Sequence, residues 1–521
     1  MSSRRRWRQS SLKIEVHSMH YLVTASEMRA LDEHTINTLG VPGYQLMTLA
    51  GEAVAAHCLR RLKEPAAVTV ACGKGNNGGD GLVAARALLE AGHTVAVFVV
   101  APRDALQGDA AMALADLEAS AHVERLRLCF EDADAFEAQL ESSVHGAALV
   151  MDALLGTGLK AEVRGPISAV IDLLNQAECP LVAVDIPSGV HADSGAMLGN
   201  AVVADATVTF AFAKRGHHQY PGAGCTGQLE VVDIGIPLEL ARDFNVTCEV
   251  LDCADGPALI PARERDSHKG TYGHLGVWAG SPSMPGAAVL CLQGALKGGA
   301  GLVSWIGEEA TFRCAPRRPL EAILRSPAEG VEGLNALVVG PGWGLGDARR
   351  TQLEELLGEA SLPLCLDASA LTLLADLPEA LEHTAAEVIL TPHPKEFSRL
   401  SGLSVEEIQG DRVEVAKAFA IKHGCCVVLK GARTVVASSS GDTAIIQPGN
   451  PGMATAGTGD VLAGIIGAFA AQGMTPYLAA RAGVLLHACA GDLATAQEGE
   501  AGMVASDIIL SMGTVWRGWN R

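Results

Sequence analysis

Two glycine-rich segments, each carrying an aspartate near its end, hold the side chains best suited to chemistry. The first is Cys72-Gly73-Lys74-Gly75-Asn76-Asn77-Gly78-Gly79-Asp80-Gly81, in which five of ten residues are glycine. Glycines let the backbone approach a ligand closely, and the free N–H groups at the start of a following helix can hold a phosphate. The spacing matches a dinucleotide fingerprint only from Gly73 to Gly78, and no Gly-Lys-Ser/Thr follows, so hydride transfer is not implied. A tight strand-to-helix turn is the plain alternative. The second segment, Pro451-Gly452-Met453-Ala454-Thr455-Ala456-Gly457-Thr458-Gly459-Asp460, precedes an apolar helix. Its N–H groups could form an anion hole, and Asp460 could take a proton from a hydroxyl attacking phosphorus. An N-capping aspartate in a glycine-rich turn is the alternative there.

Other polar words recur where strands are expected to end. In the first half these are Asp152-Ala153-Leu154-Leu155-Gly156-Thr157-Gly158 and Asp185-Ile186-Pro187-Ser188-Gly189, with Asp193 and Lys214 further on. In the second half they are Asp266 to His274, Gly280-Ser281 with Pro285-Gly286-Ala287-Ala288, Gly340-Pro341-Gly342-Trp343-Gly344, Thr391-Pro392-His393-Pro394-Lys395-Glu396-Phe397 and Lys430-Gly431-Ala432-Arg433-Thr434. An open parallel sheet gathers ligands at the carboxyl ends of its strands, so these words should converge. Lys214 could orient a substrate or be a solvated charge, and His393 could be an ordinary loop histidine.

The elements that would position them alternate. A helix capped by Thr24 or Ser26 and a second over 44–62 precede strand-like runs at 68–71, 95–100, 149–151, 181–184, 206–210 and 229–234. Helical lengths separate most of them, which predicts a doubly wound, largely parallel sheet. The rhythm fails from about 236 to 265, around Pro237, Pro257 and Pro261, and 244–262 is read as a linker. Strands resume at 274–279, 336–339, 363–366, 388–390 and 425–429, and apolar helices begin at Val461 and Ala479. A chain of 521 residues suits two large domains, placed at 21–243 and 263–519. No repeat relates the halves.

The first set of words resembles the YjeF N-terminal family, the NAD(P)H-hydrate epimerases. The resemblance implies a Rossmann-like three-layer α/β domain with K+ held by Asn77, Asp152 and Ser188. It implies a hydrated nicotinamide nucleotide lined by Asn76, Asn77, Gly78, Gly79 and Asp80, by Gly156, Thr157, Gly158, Leu159, Lys160, Ala161 and Glu162, and by Asp185. Inverting a hydroxyl-bearing carbon requires losing and regaining its oxygen, which a carboxylate acting as acid and base can assist, and Asp185 is the candidate. The second set resembles the YjeF C-terminal family, ADP-dependent NAD(P)H-hydrate dehydratases of ribokinase-like α/β fold. That implies substrate contacts from Ala287, Gly342, Gly344, His393 and Asp460, with ADP phosphates held by Lys430, Gly431, Ala432, Arg433, Thr434 and Gly459. Mg2+ is expected with the nucleotide. The hydroxyl would be phosphorylated and then leave as phosphate, a far better leaving group than hydroxide. The whole chain resembles fused enzymes of the two kinds. It departs from the pattern in its basic extension and in Lys297-Gly298-Gly299-Ala300-Gly301, where Arg-Ala-Gly-Ala-Gly is usual. A small-molecule kinase fused to a non-catalytic nucleotide-binding module is the rival reading.

Composition agrees with small-molecule work. A net charge of −20 offers no basic footprint for nucleic acid or an anionic membrane. No stretch reaches the roughly 20 apolar residues of a membrane span. The segment 1–20 carries Arg4, Arg5, Arg6 and Arg8 without an apolar core after them, so it is read as a disordered basic tail rather than a secretory signal. The 13 cysteines include no C-x-x-C pair, and reduced thiols in a cytoplasmic protein are expected. Folds of this kind are commonly homo-oligomers.

Overall fold

The computed structural model describes residues 20–315, 317–377 and 379–519, so the stretch expected as a basic tail lies outside it except for His20. The chain forms two compact units, Met1–Val246 and Thr247–Arg521.

In the first unit, strands β1 (Ala67–Cys72), β2 (Thr94–Val99), β3 (Leu126–Phe130), β4 (Leu149–Ala153), β5 (Leu181–Val184), β6 (Ala206–Phe210) and β7 (Gln228–Val232) form one sheet. Their order is β3-β2-β1-β4-β5-β6-β7, and every neighbouring pair is parallel. The runs are rich in Val, Ala and Leu because both faces are covered. Strand β1 shows this within one element: Val68, Val70 and Cys72 enter one core, and Ala71 enters the other. Helices α1 (Ala25–Asn37), α2 (Gly43–Leu59) and α3 (Asn76–Glu90) contribute to the first core. Thr24 caps α1 in a capping box with Glu27. The order in which successive strands are added reverses between β1 and β4, the position where such sheets open a crevice for a ligand.

In the second unit ten strands form a sheet: β8 (Cys248–Leu251), β9 (His274–Trp278), β10 (Leu302–Ile306), β11 (Ile323–Arg325), β12 (Ala336–Val339), β13 (Leu364–Leu366), β14 (Val388–Leu390), β15 (Cys426–Leu429), β16 (Val435–Ala437) and β17 (Thr443–Ile446). Their order is β8-β17-β16-β15-β14-β13-β12-β9-β10-β11. All neighbours are parallel except β15–β16 and β16–β17. Helix α4 (Pro285–Lys297) meets the later helix α6 (Thr458–Ala471) through glycines. A Cβ on Gly464 would lie 2.0 Å from the carbonyl oxygen of Cys291, and one on Gly294 would lie 2.4 Å from that of Val461. Only hydrogen fits between these backbones, which fixes the first turns of α6 against α4.

Two expectations need correction. The stretch read as a linker, 244–262, carries β8, which pairs in parallel with β17. Four residues whose partner lies almost 200 positions later leave no local periodicity to read. Reduced thiols fail for one pair: Cys253, just after β8, is bonded to Cys489, with Cα atoms 6.0 Å apart across 236 residues of sequence. The remaining described cysteines are free, and most are buried. Among the described residues no helix is long and apolar enough to cross a membrane.

Candidate functional site

In the first unit a cavity of about 1270 Å³ opens at the β1–β4 crevice. Asn76, Asn77, Asp80, Asp185, Lys214 and the run Gly156 to Glu162 line it. The glycine segment is not a loop that ends before its helix, because α3 already begins at Asn76 and includes Gly78, Gly79 and Gly81. Gly78 and Gly79 sit inside that helix and do not line the cavity; they serve close packing. A Cβ on Gly78 would lie 1.9 Å from the Gly73 carbonyl oxygen, and one on Gly79 would lie 2.6 Å from Met47. Gly75 precedes the helix without a capping side chain, so first-turn N–H groups at Asn76 and Asn77 lack a side-chain cap.

Asp185 follows β5 with φ +62°, a left-handed conformation uncommon outside glycine and typical of strained functional positions. Three groups hold it there. Lys214 Nζ donates to its Oδ1 at 2.5 Å, Thr209 Oγ1 donates to the same oxygen at 2.9 Å, and His217 Nε2 meets its carbonyl at 2.9 Å. His217 Nδ1 accepts from the Lys214 N–H, which leaves the proton on Nε2. Burial, then Lys214, hold the His217 imidazole down at about 3, so the ring stays neutral. Lys214 is only 1% exposed, which removes the solvated-charge reading. Asp80 is pushed well above the carboxylate range, first by burial, then by the charges of Asp185 and Asp32.

Beneath the cavity Asp152 and Ser188 are wholly buried and bonded to each other. Asp152 accepts from the Ser188 hydroxyl at 2.6 Å and from the Ser188 N–H at 2.8 Å. Burial raises Asp152 to about 6 against the pull of those hydrogen bonds. Asn77 Nδ2 donates to the Leu155 carbonyl, while its buried Oδ1 has no partner. An unpartnered amide oxygen beside a hydroxyl, a carboxylate and a carbonyl is a hard-oxygen donor set suited to a cation such as K+.

In the second unit Gly457, at φ +91°, turns the chain into α6 without a capping side chain. Thr458 Oγ1 donates to the carbonyls of Met453 and Thr455, locking the turn. The open first-turn N–H groups and the helix dipole form an anion site. Lys430, following β15, reaches this site: a Cβ on Gly459 would lie 3.3 Å from its Nζ. Nζ donates to Asp367 at 2.7 Å and lies 3.9 Å from Glu396. Burial alone would lower the Lys430 pKa, but Asp367, Glu396 and Asp460 outweigh it and hold it raised. Asp460 is pushed up to about 7, first by burial, then by Asp367, with Lys430 opposing. A carboxylate at that value is well matched to general-base work at neutral pH.

His393 caps α5 (Pro394–Ser401) in a capping box with Glu396. Its Nδ1 accepts from the N–H groups of Lys395 and Glu396, so Nε2 carries the proton, and it lies 3.5 Å from Glu396 Oε1 on a half-exposed ring. Ala287 and Gly342 adjoin, since a Cβ on Gly342 would lie 2.8 Å from that of Ala287. Arg433, at φ +59°, uses Nη1 to bond the Gln447 carbonyl. It lines a second pocket of about 450 Å³ with Gln447, Gly449 and Asp492. The motif reading missed Asp367. It is 2% exposed and follows β13, and the strand-end rule that selected Asp152 and Asp185 would have found it. Among the described residues no group of three or more His, Cys, Asp and Glu side chains could hold a metal ion, so no protein cluster locates Mg2+.

A family model described as NAD(P)H-hydrate dehydratase matches residues 275–512, and one described as YjeF-related protein N-terminus matches residues 43–216. The chain is similar to the bifunctional NAD(P)H-hydrate repair enzyme of Moorella thermoacetica, 39% identical over 508 residues that cover 94% of this chain and 95% of that one. It is similar to the enzyme of the same name from Escherichia coli, 35% identical over 499 residues covering 95% and 93%. Among solved structures it is similar to an ADP/ATP-dependent NAD(P)H-hydrate dehydratase from Bacillus subtilis co-crystallised with ATP and Mg2+. That likeness has 32% identity and a TM-score of 0.46, covering 51% of this chain and 97% of that one.

Proposed function

This chain belongs to the family of bifunctional NAD(P)H-hydrate repair enzymes, and from that premise we propose how its two sites divide the repair. The first unit interconverts the R and S forms of hydrated NADH and NADPH, and the second dehydrates the S form at the expense of ADP. Similarity along almost the whole length of relatives named bifunctional NAD(P)H-hydrate repair enzymes, with a dehydratase family model matching the second half, is the observation that supports this reading most.

In the first unit Asp185 is the acid and base at the hydroxyl-bearing carbon. Lys214 and Thr209 fix its carboxylate, and exposed Lys74 and Lys160 along the cavity balance the substrate's phosphates. Asn77, Asp152 and Ser188 are the residues that would hold K+, which supplies positive charge beneath the glycine segment when bound. In the second unit Asp460 takes the proton of the substrate hydroxyl as its oxygen attacks the terminal phosphorus of ADP. Lys430 and the N–H groups from Gly457 to Gly459 stabilise the charge that develops on the transferred phosphoryl. The P–O bond to AMP breaks as the new P–O bond forms and AMP leaves; the carbon–oxygen bond to phosphate then breaks, the neighbouring ring carbon gives up a proton to water, and the ring double bond returns. His393 Nε2–H, Ala287, Gly342 and Gly344 border the substrate, and Gly431, Ala432, Arg433 and Thr434 follow the nucleotide. Among the described residues no side-chain cluster would hold Mg2+, so the nucleotide's own phosphates would bind it and it would offset their charge. The setting is cytoplasmic and the assembly a homo-oligomer.

Incubating the full chain with mixed NADH-hydrate epimers, with and without ADP and Mg2+, tests the reading. Recovery of NADH from both epimers, dependent on the nucleotide, is expected. Recovery limited to one epimer would remove the epimerase assignment, and accumulation of a stable phosphorylated hydrate would point to a kinase instead.

A further inference from the structure

Inverting a carbon needs proton transfer on two faces, and Asp185 serves only one. Its Oδ1 is tied to Lys214 and Thr209, so it cannot swing across the cavity. The opposite requirement falls on a residue that no motif marked. Helix α1 presents Ala25, Met28, Arg29, Asp32, Glu33 and Ile36 to the same cavity, a spacing dominated by three and four residues that defines one helical face, with Glu33 at its exposed edge. The helix is firmly placed: the Ala25 N–H donates to Asp193 Oδ1 at 2.6 Å, and Thr24 and Glu27 close its capping box. Among the described residues no hydrogen-bond or ion-pair partner engages the Asp32 carboxyl, which borders the cavity beside Asp80, Asp185 and Lys214.

Resting on the epimerase reading of this site, we infer that Asp32 is a second catalytic residue, exchanging a proton with the substrate hydroxyl at the face of the carbon that Asp185 does not serve. In one direction Asp32 gives its proton to the departing hydroxyl. The C–O bond breaks, the ring nitrogen's lone pair forms a C=N bond, and water leaves. A water on the other face then bonds to the carbon as Asp185 takes one of its protons, and the C=N electrons return to nitrogen. One proton has moved from Asp32 to Asp185, with no net gain or loss of water. The reverse direction exchanges their roles.

The surroundings suit an acid that must give up and regain a proton. Burial holds the Asp32 carboxyl up at about 6; Lys214 opposes this, while Asp185 and then Glu33 add to it. The charged and titratable groups facing it are Asp80 on α3, Asp185 after β5, Lys214, and Arg29 and Glu33 on its own helix.

The test uses the full chain with separated R and S hydrates in H2 18O, comparing the parent with Asp32→Asn and Asp32→Glu. In the parent, each inversion should bring one solvent oxygen into the product. Asp32→Asn should lower kcat for epimerisation about 100-fold in both directions, change KM little, and flatten the alkaline limb of the pH profile. Asp32→Glu, which keeps a carboxyl, should restore at least about a tenth of the parent rate. S-hydrate dehydration with ADP should be the same in all three. An Asp32→Asn rate within about threefold of the parent with the pH profile unchanged, or equal losses in both variants, overturns the inference. If the parent itself fails to interconvert the epimers, the epimerase reading has failed; if parent and Asp32→Asn interconvert them equally, only the role of Asp32 has failed.

Discussion

Lys214 in the first unit and Lys430 in the second each face three carboxylates, but the surroundings assign them different tasks. Lys214 is sealed at 1% exposure, and its ammonium is spent on Asp185 and Thr209. With its ammonium engaged there, its effect is to lock a carboxylate in a strained position beside a large cavity. Lys430 is 19% exposed and stands over the open N-terminus of α6, with Asp367 behind it. There the ammonium and the helix N–H groups point toward one place, which suits an incoming phosphoryl group. The same ratio of charges therefore yields a proton-transfer site where the lysine is buried and a phosphoryl-transfer site where it meets a helix start.

Substitutions can break that contrast, beginning with the largest effect. Asp460→Asn should lower dehydration by about 10³–10⁴-fold while leaving epimerisation unchanged, measured as NADH recovered from pure S hydrate. Asp185→Asn should lower epimerisation by about 10²–10³-fold and leave dehydration of S hydrate intact. If either substitution disabled both reactions, the two sites would not be separate. Lys430→Met should reduce dehydration by about 100-fold through loss of a charged donor. It also strands the buried Asp367 carboxylate, a change of about 3–5 kcal/mol that should appear as a lower Tm for the second unit.

A smaller effect sharpens the comparison through pH. A base acts when ionised, and Asp460 is held at about 7, so dehydration should rise about tenfold per pH unit below that value and level off above it. Asp367 contributes to raising Asp460, so Asp367→Asn should move this limb to lower pH. A limb that stays in place would mean that another group is titrating.

Much of this was legible in the amino-acid sequence, for identifiable reasons. Asn76, Asn77, Asp80 and Asp185 were marked by glycine runs and strand ends, and parallel topology brought them to one cavity. The burial of Lys214 was not visible, because it depends on the two-residue pairing of Leu22–Val23 with Ala213–Lys214 across the unit. Asp32 carries no motif at all: an acid on a polar-looking helix becomes notable only once that face is seen to border a cavity. The glycines of α3 and β8 in the supposed linker failed for a common reason. Tertiary packing set their structure, helix against Met47 in one case and strand against β17 in the other, where local propensity favoured a loop.

The most direct measurement is the yield of NADH from an equal mixture of R and S hydrates given ADP and Mg2+, faster than the protein-free mixture interconverts. The parent should recover both halves and Asp185→Asn only the S half. Complete recovery by Asp185→Asn would contradict the assignment of epimerisation to the Lys214–Asp185 site.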